Sequence, residues 1–151
     1  MKKKHIDDLI GLIREIYKTK KIVLHEPRFI GKEKKNLIQT IDSTFVSSSG
    51  ENINLFEKKI AKITGSKYAI STSSGTAALH SSLIAVGCDS NSEVITQSLS
   101  FIAACNAIKY CGSHPIFIDV DRDSFGLSPS KLEKFLSENT EVRSDKLCWN
   151  K

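Results

Sequence analysis

The sequence predicts an α/β fold, a parallel sheet with helical crossovers, entered from a helical N-terminal segment. Three observations carry that prediction. From residue 68 onward, short apolar runs alternate with helix-like segments at the spacing of strand–helix–strand units. Residues 1–64, by contrast, show only amphipathic helical periodicity. Where the two regimes meet, the run Tyr68–Ser71 passes through Ser73-Ser74-Gly75-Thr76 into an uncharged helical segment. The organisation expected is therefore a helical segment over 1–64 and the first part of an α/β domain over 65–151.

Each element has its own signal. Ile6, Leu9, Ile10, Ile13, Ile16 and Tyr17 mark one face of a first helix. Pro27 and Gly31 punctuate an irregular connector over 24–31. A second amphipathic helix is expected over 32–45, a loop over Ser47–Gly50, and a third helix over 52–64. That third helix points Ile53, Phe56, Ile60 and Ile63 inward, with Gly65 just past its end. Then follow a strand at 68–71, a helix over 76–86 closed by Gly87, a strand at 93–96 and a helix over 101–110. A strand at 115–120 and a helix over 129–136 complete the series. Ser128 stands as the cap of the last helix, with Pro129 at its first position.

Composition excludes several classes. The 151 residues are 40% hydrophobic and 26% charged, which is globular and about one domain long. The net charge of +5 gathers in Lys2–Lys4, Lys18–Lys21 and Lys32–Lys35, on polar faces and without interleaved aromatics. That pattern reads as solvated surface, not as a nucleic-acid interface. Asp7, Asp8, Arg14 and Glu15 interrupt any signal-peptide core. Residues 69–88 are uncharged but rich in Ser, Thr and Gly, and fit a buried helix after a turn better than a membrane span. A cytoplasmic protein without membrane partners is expected. Cys88, Cys105, Cys111 and Cys148 form no Cys-x-x-Cys pair and have no His at metal spacing, so reduced, mostly buried thiols are expected and no metal site.

The joint at Ser74 is the chemically informative stretch. A strand that turns through Ser, Gly and Thr into a helix leaves free backbone N–H groups aimed at one point. The helix dipole adds partial positive charge there, so the turn suits a phosphate. Gly75 admits close approach, and the hydroxyls of Ser74 and Thr76 can donate further bonds. An ordinary joint, with Ser or Thr merely capping the helix, is the competing reading. Three other motifs fail. Asp119-x-Asp121-x-Asp123 begins like a calcium loop, but Ser124 and Ser130 stand where Gly and Glu are needed. Ser128-Pro-Ser-Lys131 lacks the partner motifs of the penicillin-binding enzymes. No G-x-G-x-x-G and no Walker lysine is present.

Taken together, Tyr68-Ala-Ile-Ser-Thr-Ser-Ser-Gly-Thr-Ala-Ala-Leu-His80, Glu93-Val-Ile-Thr-Gln-Ser-Leu-Ser-Phe-Ile-Ala-Ala-Cys-Asn-Ala-Ile108 and Pro115-Ile-Phe-Ile-Asp-Val-Asp121 resemble the DegT/DnrJ/EryC1/StrS sugar aminotransferases. Leu24-His-Glu-Pro-Arg-Phe-Ile-Gly31 and Asp42-Ser-Thr-Phe-Val-Ser-Ser48 resemble the LegC-like branch of that family. The resemblance runs from about residue 5 to residue 140. It implies the N-terminal part of the large domain of a pyridoxal-phosphate (PLP) enzyme with the aspartate aminotransferase-like fold (fold type I). It also implies a 4-keto UDP-sugar substrate on the way to legionaminic acid or bacillosamine-type surface glycans, an amino-acid amine donor and a homodimer.

By the same resemblance, Ser74, Gly75 and Thr76 bind the cofactor phosphate and Phe101 stacks on its ring. Asn106 is a further polar candidate. Ser74 departs from the family, which usually has Asn there, so a hydroxyl replaces an amide. The family's Schiff-base lysine and the acidic partner of the pyridine nitrogen lie further downstream than Lys151, and no lysine present has the matching context. No catalytic residue is therefore assigned. The resemblance also implies that 68–71 has no sheet neighbour within this stretch, whereas 93–96 and 115–120 pair with each other. Two functions remain open: part of a nucleotide-sugar aminotransferase that cannot transaminate by itself, or a non-catalytic phosphate-binding or assembly module derived from that fold.

Overall fold

The structure is a computed structural model and describes residues 3–19, 21–23 and 25–151. Met1, Lys2, Lys20 and Leu24, which belong to the basic clusters and the connector, lie outside the described residues. The chain forms two compact units, Met1–Asn54 and Leu55–Lys151.

In the first unit, α1 (Lys3–Tyr17) and α2 (Glu33–Asp42) are both amphipathic, and neither buries a residue. The second helix stops short of Phe45. Thr44 turns to a left-handed φ of 61°, and the Ser43 hydroxyl donates to Thr40 O at 2.8 Å, closing the last turn. A loop over 47–50 leads, as expected, into α3 (Glu51–Thr64).

The third helix crosses into the second unit, and its inward stripe differs from the expected one. Ile53, Glu57, Ile60 and Ala61 are the half-buried positions, while Phe56 and Ile63 are exposed. A carboxylate thus sits in the stripe that periodicity assigns to apolar residues. Gly65 follows with φ 70°, as its place after the helix requires.

The strand expected at 68–71 does not form. Residues 68–72 belong to no strand, and Tyr68 and Ile70 are 75% and 85% exposed. A strand is stabilised by its neighbours, and the described residues supply none here. The helix α4 (Gly75–Ala85) carries no charged residue and has no distinct apolar face, and it buries no residue. It ends on Val86, Gly87 (φ 82°) and Cys88, where Gly87 N–H donates to Ile84 O and Cys88 N–H to Leu83 O, each at 2.9 Å. That pair of bonds is a Schellman closure and explains the glycine.

The core lies further along the second unit. Strand β1 (Glu93–Gln97) pairs in parallel with β2 (His114–Ile118), Ile95 opposite Ile116, through the crossover helix α5 (Ala103–Tyr110). The expected pairing of these two strands is what the structure has. Ala107, Ile108 and Ile118 form the buried apolar centre. The crossover helix begins later than periodicity suggests, leaving Phe101 before it, and β2 ends at Ile118. Val120 instead bridges Leu127, around a turn in which Asp121 N–H donates to Gly126 O at 2.8 Å.

The last helix, α6 (Pro129–Asn139), runs three residues longer than expected. Ser128 occupies its cap position, but its buried side chain pairs with the Ser130 hydroxyl at 3.2 Å and caps no helix N–H. A hairpin that periodicity misses follows, β3 (Thr140–Val142) against β4 (Cys148–Asn150). Asp145 holds it by accepting from Leu147 N and from the Trp149 ring nitrogen. All four cysteines are free; three are half-buried and Cys148 is exposed, so they are less buried than expected.

Candidate cofactor-phosphate site

The turn is built by local chemistry. Ser74 is extended (φ −163°, ψ 163°) and caps α4, its hydroxyl oxygen accepting from Ala77 N–H at 3.2 Å while its carbonyl accepts from Ala78 N–H. Thr72 Oγ1 donates to the same carbonyl at 3.0 Å. The N–H groups of Gly75 and Thr76, the first two of the helix, take no partner among the described residues. A methyl group added at Gly75 would meet nothing within 4 Å, so the space beside this glycine is open. Free N–H groups, the positive end of an 11-residue helix and open space beside Gly75 form a cradle that an anion could enter. On this observation the residues fit the phosphate end of PLP. The capping reading is met as well: the Ser74 oxygen is engaged in the cap, while its proton can still be donated.

Phe101 lies just beyond the carboxyl end of β1 and is 81% exposed, so it is not the core residue that a helix-start Phe would be. No hydrogen bond joins it to Ser74, Gly75 or Thr76 among the described residues. Asn106 is a half-buried member of α5. Near the same sheet edge, Gln97 Nε2 donates to Leu99 O at 2.7 Å, which shapes the loop that carries Phe101. Asp119, the first acid of the failed calcium motif, is held by Lys131 and by Val120 N–H. Those partners push its carboxyl below the ordinary range, the Lys131 bond most. A separate cleft of about 710 Å³ is lined by Leu37, Ile41, Phe45, Val46 and Ile53.

One residue escaped the sequence reading. Glu57 Oε1 accepts from Ser71 N–H at 2.7 Å and from Ser71 Oγ at 2.8 Å. The signal was present: Glu57 falls between Ile53 and Ile60 on the stripe that faces inward.

A parallel β–α–β unit preceded by a Ser-Gly-Thr turn and a helix defines the class, an incomplete α/β domain of the PLP-transferase type, fold type I. The chain belongs to the DegT/DnrJ/EryC1/StrS aminotransferase family, whose model matches residues 28–143. Members of that family are PLP-dependent aminotransferases. The chain is 41% identical over 123 residues to GDP-perosamine synthase of Escherichia coli O157:H7, covering 82% of this chain and 34% of that protein. It is 35% identical over 119 residues to the putative pyridoxal phosphate-dependent aminotransferase EpsN of Bacillus subtilis, covering 79% and 31%. Among solved structures, the aminotransferase from Psychrobacter cryohalolentis superposes with a TM-score of 0.67 at 30% identity, covering 80% of this chain and 29% of that one. The chain thus spans about a third of the length of the curated relatives it matches.

Proposed function

We propose that this chain is the cofactor-phosphate-binding part of an aminotransferase acting on a 4-keto nucleotide sugar in surface-glycan synthesis. The observation that carries the reading is the pair of N–H groups at Gly75 and Thr76, without partners among the described residues, in a member of a PLP family. Ser74, Gly75 and Thr76 would hold the phosphate, and Phe101 would lie against the ring, an aromatic contact worth about 1 kcal/mol. When bound, PLP supplies an electron sink for the carbon that exchanges its amino group. This chain's own residues anchor and orient; none is assigned the proton transfer.

The N-terminal motif around Pro27 suggests a UDP-sugar of the legionaminic acid or bacillosamine type. The name of the 41%-identical relative favours a GDP-sugar instead. An amino-acid donor, a homodimer and a cytoplasmic location complete the reading. No described helix is long and apolar enough to cross a membrane.

The test has two parts. Reading the DNA beyond codon 151 should reveal the lysine-bearing region of the family, in or out of frame. Unrelated sequence there would favour the non-catalytic module. If the region is in frame, the protein encoded should aminate GDP- or UDP-linked 4-keto sugars with an amino acid as donor. Activity on neither would overturn the substrate assignment.

A further inference from the structure

The segment from Gly65 to Ser74 carries the chain from α3 to the turn, and it lacks the sheet neighbours that would fix a strand. Its bonds at Ser66, Thr72 and Ser74 are local, reaching four residues or fewer. Among the described residues, one longer tie exists, from Ser71 to Glu57, fourteen residues back on α3. Both Ser71 donors converge on the same carboxylate oxygen, Oε1. Three residues later the chain reaches Ser74, whose extended backbone sets the first turn of α4.

We propose that Glu57 is a positioning residue for the phosphate cradle: by clamping Ser71 to α3 it sets where the Gly75 and Thr76 N–H groups point. The inference rests on the reading of residues 74–76 as the phosphate seat, and adds the residue that holds that seat in place. Chemistry supports an acid here. An ionised carboxylate accepts more strongly than a neutral oxygen, and a backbone N–H plus a hydroxyl satisfy one of its oxygens fully. The Ser71 N–H, and then the Ser71 hydroxyl, hold the Glu57 carboxyl below the ordinary glutamate range. An N–H cradle is useful only when its donors converge, so a loose approach segment would spread them over many directions. The clamp supplies what sheet pairing does not supply here.

The test is a titration of the 151-residue chain with inorganic phosphate and, separately, with pyridoxamine phosphate, which has no aldehyde to react with surface lysines. Affinity is read from the Gly75 and Thr76 amide shifts. Glu57→Ala should weaken both ligands by about tenfold while the β1–β2 amide signals stay in place. Glu57→Gln keeps an oxygen where Oε1 stands, and should restore affinity to within about threefold of the parent. Ser71→Ala, which removes one of the two bonds and guards against an unfolded Glu57→Ala, should fall between them. Equal affinity in the parent, Glu57→Ala and Ser71→Ala would overturn the positioning role and leave the phosphate reading standing. Absence of Gly75 and Thr76 shifts in the parent would overturn both.

Discussion

Ser74 Oγ accepts the Ala77 N–H at 3.2 Å, so Ser74 is the cap of α4. Ser74→Ala should remove that acceptor and cost about 1 kcal/mol, read as faster amide exchange over the first turn of α4. Ser74→Asn should keep the cap, since Asn and Ser are comparable there. Unchanged exchange in Ser74→Ala would show that the cap contributes nothing.

Gly75 and Gly87 predict opposite outcomes for one kind of substitution. Gly87 has φ 82° at the end of α4, so Gly87→Ala should destabilise by about 1 kcal/mol. Gly75 is helical and its added methyl meets nothing, so Gly75→Ala should leave stability unchanged or raise it by about 0.5 kcal/mol. On the proposed seating of the phosphate beside Gly75 the same methyl crowds it, so phosphate affinity should fall by about tenfold. Denaturant melts and a phosphate titration of both variants check the contrast.

His80 meets Tyr110 edge to face, ring centroids 5.6 Å apart, and ties α4 to α5. A double-mutant cycle of His80→Ala and Tyr110→Ala should give a coupling of about 0.5 kcal/mol, toward the low end for aromatic pairs because Tyr110 is 62% exposed.

The folded chain holds the Glu57 and Asp119 carboxyls below their ordinary values, Glu57 chiefly through Ser71 N–H and Asp119 chiefly through Lys131. A depressed folded pKa stabilises above the ordinary carboxylate range and loses that contribution as pH falls through the folded value. The melting temperature should therefore drop as pH falls below the ordinary carboxylate range of about 4. Glu57→Gln should remove part of that drop. Both carboxylates are in contact with solvent, so the change should be modest and shrink with added salt.

How much of this was legible follows from what each element depends on. The helices were readable because periodicity decides them, the β1–β2 pairing was implied by the family resemblance, and the Gly65 and Gly87 stops follow from backbone sterics. The strand at 68–71 was misread because an apolar run becomes a strand only beside another strand. The hairpin over 140–150 was missed because short polar strands carry little alternation, and Asp145 and Lys146 set the turn without a glycine. At the site, the Ser-Gly-Thr turn could be read from residue types. Of the clamp, only the carboxylate in the inward stripe of α3 was visible; its partner Ser71 was not, since no local pattern relates the two elements.

The central claim is that a cofactor phosphate seats on the first turn of α4. Amide-shift mapping of the dilute 151-residue chain with pyridoxamine phosphate tests it most directly. Gly75 and Thr76 should move first and furthest, followed by Phe101. Shifts confined to Lys32–Lys35, with Gly75 and Thr76 unmoved, would mean diffuse charge attraction and would contradict the claim.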